Sequence, residues 1–424
     1  MKNNLLAQPL IALHTQNITA SKDVEFQKLY TNNYTKLSVI EEKLLENEGS
    51  KNELELLRDT ASVISDLKMK IDFEALELNV ISLRDKRINE IQKDLSELEI
   101  DTTKDYSGII KDLNKNGINI KYLSKEELEP YKDSIKAELL IEWLKIKSEI
   151  QQFESLMASQ IEGFIKPKFH LWGSLSGRVI SHSPSTQNFP KCYKDYILPL
   201  NDGESIYELD IKSAEVIGLA HLSEEHQIFD LLSNGKDIYT YIFSRIFNKK
   251  EDEVSTENRD LTKKIVNGIN LGLGVERLKN LINDSGIANR GITEIEAKVI
   301  RDKYYGLFPK INDYLSMIKK DNKVTTNLGL EIEVEPSYKH MSFPAQNIIA
   351  TTIKTIVASL CDYKERIINI VHDSLWISAN ETDLKVIKNC MEEICSQLLP
   401  DEYLNKEIEL IKVTKLGGKL NEFI

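Results

Sequence analysis

E-N-R-D-L-T-K-K-I-V-N-G-I-N-L-G-L-G-V-E-R-L, from Glu257 to Leu278, is the stretch on which the reading of the fold turns. Arg259, Lys263, Asn267 and Leu271 recur every fourth residue, so on an α-helix they share one slowly drifting face. That face runs from cationic through polar to apolar. From Arg259 to Asn267 a helix rises about 12 Å, enough to lie along a nucleoside triphosphate. Two cations a turn apart would meet the phosphates, and the next turns the sugar and base. The same spacing also fits a solvated helix face with a glycine stop at Gly272 or Gly274. What flanks the stretch decides between the two.

Upstream lies Y-E-L-D-I-K-S-A-E-V-I-G-L-A-H-L-S, Tyr207 to Ser223. Ile206 to Ile211 predicts a buried strand, and Ser213 is placed to cap a helix through Val216 to His221. Downstream, I-I-N-I-V-H-D-S-L-W-I-S (Ile367 to Ser378) predicts a hairpin, with His372-Asp373-Ser374 at its bend. Asp210 and Asp373 would each stand at a strand end, and the two strands can pair in one antiparallel sheet. Singly, either is an ordinary turn aspartate. Between Phe164 and Leu200, Lys166, Lys168, Arg178, Lys191 and Lys194 face one acid, Asp195. This basic segment contains S-G-R-V-I-S-H-S-P-S-T-Q-N-F-P (Ser176 to Pro190), which alone reads as a Ser/Pro-rich surface loop.

In chain order, Tyr207–Ser223, Glu257–Leu278 and Ile367–Ser378 resemble motifs A, B and C of family A DNA polymerases, the bacterial polymerase I type. The likeness runs from about Phe164 to the C-terminus and more loosely back to about Lys70. It implies an α+β fold, a right-hand polymerase with an antiparallel-sheet palm, helical fingers and a helical-hairpin thumb. The domains expected from it are an N-terminal helical extension (1–69), a thumb-like region (70–166), a first palm part with motif A (167–222), fingers with motif B (223–330) and a second palm part with motif C (331–424).

The implied activity is template-directed DNA synthesis from a primer 3′ end. Phosphoryl transfer asks a protein for positioning and charge neutralisation. Two divalent ions about 3.5–4 Å apart supply both, and Mg²⁺ is held by one or two carboxylates plus substrate oxygens. Asp210 and Asp373 would therefore be the catalytic pair bridging two Mg²⁺ ions, with Mn²⁺ as a substitute and the Ile211 carbonyl as a further ligand. Arg259 and Lys263 would neutralise the triphosphate, while Asn267 and Leu271 would face sugar and base. Tyr239, in G-K-D-I-Y-T, falls where the family often has a phosphate-contacting histidine. Ser213 and Glu215 join the nucleotide side, the Glu215 carboxylate excluding a 2′-hydroxyl. Arg178, Gln187, Asn188, Gln346 of F-P-A-Q, and His372 would contact primer–template DNA. Gln187 and Asn188 would do so on backbone or minor groove, whose acceptors look alike for every base pair.

Four positions depart from the family pattern. Asn267 replaces the aromatic that packs on the incoming nucleotide, and Leu271 the tyrosine a turn later. Ile211 replaces a motif A tyrosine, and Ser374 a motif C glutamate. The lost aromatic takes away stacking surface worth about 1–3 kcal/mol, so weaker nucleotide affinity and altered discrimination are expected. Leu271 removes the usual partner of Glu215, which predicts a carboxylate free to swing and a leaky barrier to ribonucleotides.

Composition bounds these readings. A chain of 424 residues can build two to four domains. It has no apolar run long enough to span a membrane. A net charge of −12, from 55 Lys+Arg and 67 Asp+Glu, opposes a wholly cationic surface, though a basic groove can sit on an acidic body. Cys192, Cys361, Cys390 and Cys395 lack disulfide-framework or zinc spacing, so a cytoplasmic setting is simplest, of bacterial, phage or plasmid origin. The expected partners are primer–template DNA and dNTPs, with the protein a monomer. Only about 70 residues precede the thumb-like part, and they read as helix and coil, so no proofreading exonuclease is expected. Two rivals stay open. One is a single-subunit RNA polymerase, which Glu215 opposes. The other is a polymerase-derived nucleic-acid-binding factor impaired in catalysis, opposed by the joint retention of Asp210, Asp373, Arg259 and Lys263.

The N-terminal third predicts helix from Tyr34 to Met69 and a turn at Lys70 to Asp72. A long helix should follow, with Leu76, Val80, Leu83, Ile88, Ile91, Leu95 and Leu98 on one stripe. Asn116-Gly117 marks a turn, and Ser124 with Glu127 fits a capping box opening the next helix. Leu139, Trp143, Ile146, Ile150, Phe153, Met157 and Ile161 predict a second long helix, completing a helical hairpin.

Overall fold

The computed structural model describes residues 48–286, 290–320, 323–333 and 340–417. They form two compact units. The first comprises the described residues through Leu67, Lys168–His182 and Tyr207–Lys415; the second comprises Lys68–Pro167, Ser183–Ile206 and the described residues from Leu416. Of the expected N-terminal helical stretch, residues 34–47 lie outside the described residues, and Glu48–Ile64 is a helix.

The first unit is built around a four-stranded sheet in which Ile367–Val371, Ser374–Ala379, Ser205–Ile211 and Ile411–Leu416 lie side by side. Val371 pairs with Ser374 in an antiparallel hairpin, leaving a two-residue loop whose first member, His372, takes φ 54°. Such tight loops demand a left-handed residue. The Ile211 N–H donates to the Asp373 carbonyl at 3.2 Å, and the Trp376 indole N–H donates to Glu208 at 2.9 Å. Residue numbers thus fall on one strand as they rise on the other, so these two strands are antiparallel. Ser374–Ala379 is buried along its whole length, as suits a central strand covered on both faces. The Ala214–Ser223 helix packs on the Phe343–Ser359 helix. Gly218 permits that approach, since a Cβ there would stand 2.7 Å from the Ile348 Cγ2.

The motif B periodicity becomes the helix Thr256–Asn270. Ser255 caps it by accepting from the Asn258 N–H, and Gly272, at φ +83°, closes its C-terminal end. Leu261, Ile265, Val266 and Ile269 are buried, which turns Arg259, Lys263 and Asn267 to the other side.

In the second unit a helix runs from Phe73 through a π-turn, Glu77–Ile81, into Ser82–Glu97 and packs against Ile135–Ala158. Ile91, Leu95, Leu113, Leu140, Trp143 and Ile146 are among the residues of its core. The extra residue of the π-turn rotates the expected stripe. Ile81 is buried where Val80 was expected, and Leu83 is 64% exposed. The Lys70 to Asp72 turn is instead a two-residue strand, Lys70–Ile71, paired with Ile197–Leu198. Ser124 caps a single turn, Lys125–Leu128, and the Glu127 carboxylate accepts from the Lys121 N–H rather than completing a box. Met157 and Ile161 are exposed, Ile161 lying beyond the helix. Among the described residues, no helix is long and apolar enough to cross a membrane.

Candidate nucleotide and metal site

Asp210 is half-buried near the end of its strand, where the adjoining backbone meets Asp373. Burial first, and the charge of Asp373 second, push its carboxyl up to about 6, with Lys263 pulling the other way. Asp210 on its strand and Asp373 in the hairpin loop are therefore in electrostatic contact, and the charge of Asp373 disfavours ionisation of Asp210. A divalent cation would relieve that penalty. The donor set is two carboxylates, and among the described residues no group of three or more acids, histidines or cysteines converges as a cage. Those hard oxygen donors fit Mg²⁺, which needs one or two carboxylates and fills its shell with water and substrate. Ser374 donates its hydroxyl to the Val371 carbonyl at 2.9 Å. It fastens the loop that carries Asp373.

The cationic helix face is arranged unevenly. Lys263 is exposed and has no hydrogen-bond or ion-pair partner among the described residues, and its charge reaches Asp210. Arg259 is engaged side-on by Asp237: Nε lies 3.0 Å from both carboxylate oxygens and Nη2 lies 2.7 Å from Oδ2. Burial works to raise the Asp237 pKa, but hydrogen bonds from Arg259 and Thr240 outweigh it and hold the carboxyl below its ordinary value. The guanidinium also sits 5.3 Å from the centre of the Tyr239 ring. Tyr239 is buried, its phenol pushed up to about 12 chiefly by desolvation, and it shares a side-chain hydrogen bond with Ser213.

Ser213 does not cap its helix as expected. It stands at the N-cap position in a left-handed conformation, φ 49°, with no capping hydrogen bond from its side chain. Its hydroxyl is turned to Tyr239, and the left-handed backbone breaks strand from helix directly after Asp210 and Ile211.

Asn267 is half-buried, and its Oδ1 is shut from solvent with no hydrogen-bond partner among the described residues. Leu271 is half-buried at the helix end. At the last residue of the helix, Asn270 accepts from the buried Tyr304 hydroxyl at 2.8 Å, anchoring the helix.

Arg178 binds Glu215, so the carboxylate expected to swing free has a partner after all. Nearby in sequence, the Ser176 hydroxyl donates to Gln346 Oε1 at 3.2 Å, and the Asn347 amide donates to the Ser176 carbonyl at 3.2 Å. The loop bearing Arg178 is thereby tied to the helix bearing Gln346. His372 is exposed at the hairpin tip beside Asp373. Gln187, half-buried, and Asn188, exposed, belong to the second unit. Sequence reasoning missed Asp237 as the partner of Arg259; its only signal was its place two residues before Tyr239.

The sheet, the acid pair and the cationic helix describe an α+β polymerase fold. The model for DNA polymerase family A matches residues 63–332, well over half of the sequence, and the chain belongs to that family. It is 24% identical over 280 residues to DNA polymerase I of Aquifex aeolicus (strain VF5), covering 63% of this chain and 48% of the relative. To DNA polymerase I of Geobacillus stearothermophilus it is 24% identical over 286 residues, covering 58% of this chain and 32% of the relative. The chain therefore spans about half or less of the length of these curated relatives. The solved POL domain of Pol1 from M. smegmatis, in complex with DNA primer-template and dNTP, matches it with a TM-score of 0.78 at 19% identity. That match covers 97% of this chain and 81% of the other, and it is a likeness of fold.

Proposed function

We propose that this chain is a template-directed DNA polymerase that adds deoxynucleotides to a primer 3′ end by two-metal phosphoryl transfer. The observation that carries the reading is the meeting of Asp210, Asp373 and Lys263 in one electrostatic neighbourhood. Carboxylates for metal and an exposed ammonium for phosphate are what phosphoryl transfer asks of a protein. Family membership, and a fold shared with a polymerase domain complexed with primer-template and dNTP, support the same substrates.

In this reading Asp210 and Asp373 hold Mg²⁺, or Mn²⁺ in its place, and the Ile211 carbonyl adds an oxygen. The ions, when bound, activate the 3′-hydroxyl and stabilise the departing pyrophosphate. Lys263 and Arg259 bind the triphosphate, the Tyr239 ring packs near the Arg259 guanidinium, and Asn267 and Leu271 face sugar and base. Glu215, held by Arg178, stands against a 2′-hydroxyl, with Ser213 beside it. Arg178, Gln346 and His372, together with Gln187 and Asn188, serve the primer–template. Residues 70–166 act as thumb, 223–330 as fingers, and 167–222 with 331–424 as palm.

Primer extension on a defined DNA template with Mg²⁺ and dNTPs tests this, with Asp210→Ala and Asp373→Ala alongside. Extension that follows the template and vanishes in both variants is expected. Primer–template binding without extension by the unaltered chain would overturn the catalytic reading in favour of a binding factor.

A further inference from the structure

We propose that Asp237 is a fixed counter-ion to Arg259 that an incoming triphosphate must displace, so that capture of nucleotide without its divalent metal is kept weak. The inference rests on the reading of the Thr256–Asn270 helix as the triphosphate site. Carboxylate and phosphate take the same bidentate fork of a guanidinium, and here the fork edge of Nε and Nη2 is already occupied by Asp237. The carboxylate is in place before any ligand arrives. Asp237 is the N-cap of the Ile238–Phe247 helix and accepts from the Thr240 N–H at 2.8 Å. Arg259 Nη1 meets a second acid, Asp260, at 3.8 Å.

The charge balance on this face follows. A metal-free triphosphate would find the Arg259 charge matched by Asp237 and Asp260, and would find Lys263 with no hydrogen-bond or ion-pair partner among the described residues but with the charge of Asp210 near it. Like charges close together disfavour binding. A divalent ion on the triphosphate reduces that repulsion and engages Asp210 and Asp373 as well. Asp237 is thus a positioning residue that also makes the site discriminate between metal-bound and metal-free nucleotide.

The test uses the full chain with a primer–template ended by a dideoxynucleotide, so that no turnover occurs. Dissociation constants for the next correct dNTP, and for inorganic triphosphate, are measured in EDTA and in Mg²⁺. Asp237→Asn removes the charge but retains an oxygen for the Thr240 N–H, and Asp237→Ser provides a second capping variant should the first fold poorly. Both are expected to tighten metal-free binding up to about fivefold, the scale of one partly exposed ion pair, with a much smaller change in Mg²⁺. Asp237→Glu is expected to bring the metal-free value back toward that of the unaltered chain. Unchanged or weakened metal-free binding in Asp237→Asn would overturn the proposal. Lys263→Ala separates the two ideas: if it leaves triphosphate binding unchanged under both conditions, the helix is not the triphosphate site and the underlying reading fails instead.

Discussion

The carboxylate of Glu215 is bound by the guanidinium of Arg178, with side chains 18% and 31% exposed respectively. Glu215 also stands in the first turn of the Ala214–Ser223 helix, where the helix dipole favours a negative charge. Replacement of a tyrosine by Leu271 therefore does not leave this carboxylate loose, because an arginine from another part of the chain restrains it.

Rejection of ribonucleotides should accordingly depend on Arg178. A charged hydrogen bond at this exposure is worth about 1 kcal/mol. Arg178→Ala is expected to raise ribonucleotide use relative to deoxynucleotide use about fivefold, read as the ratio of kcat/KM values. A ratio that stays constant would show that Glu215 holds its place without the arginine.

Asp210 gives a pH dependence with a definite sign. A cation is held by the ionised carboxylate, so Mg²⁺-dependent extension should fall as pH drops below about 6, the value to which burial and Asp373 push this group. In the metal-free protein the folded value lies above the ordinary one of 3.8. The folded chain then binds the extra proton, and the stability it brings is present at low pH and lost as pH rises through about 6. Asp210→Asn should raise Tm at pH 8 by about a degree or two, from roughly 1–2 kcal/mol after allowance for partial exposure, and do little at pH 4. Calorimetry showing the same shift at both pH values would remove burial and repulsion as its cause.

At Asn267 an aromatic should strengthen nucleotide binding. Stacking on a base contributes about 1–3 kcal/mol, so Asn267→Phe is expected to lower KM for dNTPs by about fivefold or more. The substitution also removes a buried amide oxygen that has no partner among the described residues, so Tm should hold or rise. Steady-state kinetics with one correct dNTP would decide it; an unchanged KM would mean that the side chain does not meet the base.

Away from the site, Lys354 and Glu53 face each other at 3.8 Å with no exposed side-chain surface. The ammonium lies 4.9 Å from the centre of the Trp172 ring. Burial pulls the Lys354 pKa down, and Glu53 only partly restores it. Neither carboxylate oxygen nor the ammonium has a hydrogen-bond partner among the described residues. Glu53→Ala would strand a buried charge and should cost about 3–5 kcal/mol in urea unfolding, whereas Glu53→Leu combined with Lys354→Met should be neutral or stabilising. A loss in the double variant as large as in the single one would show that the pair itself stabilises the fold.

Much of the candidate site was legible along the chain. The helix at Arg259 and Lys263, the strand bearing Asp210 and the hairpin at Asp373 follow from local periodicity, the Ser255 cap and the Gly272 stop. The helix and the hairpin are settled by interactions spanning a dozen residues or fewer, whereas the strand bearing Asp210 is paired with the distant Ser374–Ala379. Ser213 shows the limit of that reasoning. A serine before a helix is a good cap by type, yet here its side chain is turned to Tyr239, a neighbour the local pattern does not contain.

The sequence by itself determined the elements and the residue types each presents, because helix and strand periods, caps and turns are properties of neighbouring residues. Only the tertiary structure decided which charges meet: Arg178 with Glu215, Asp237 with Arg259, and Asp373 beside a half-buried Asp210. Any arginine can pair with any acid on chemical grounds. Distance and desolvation choose among them, and both exist only once the chain has packed.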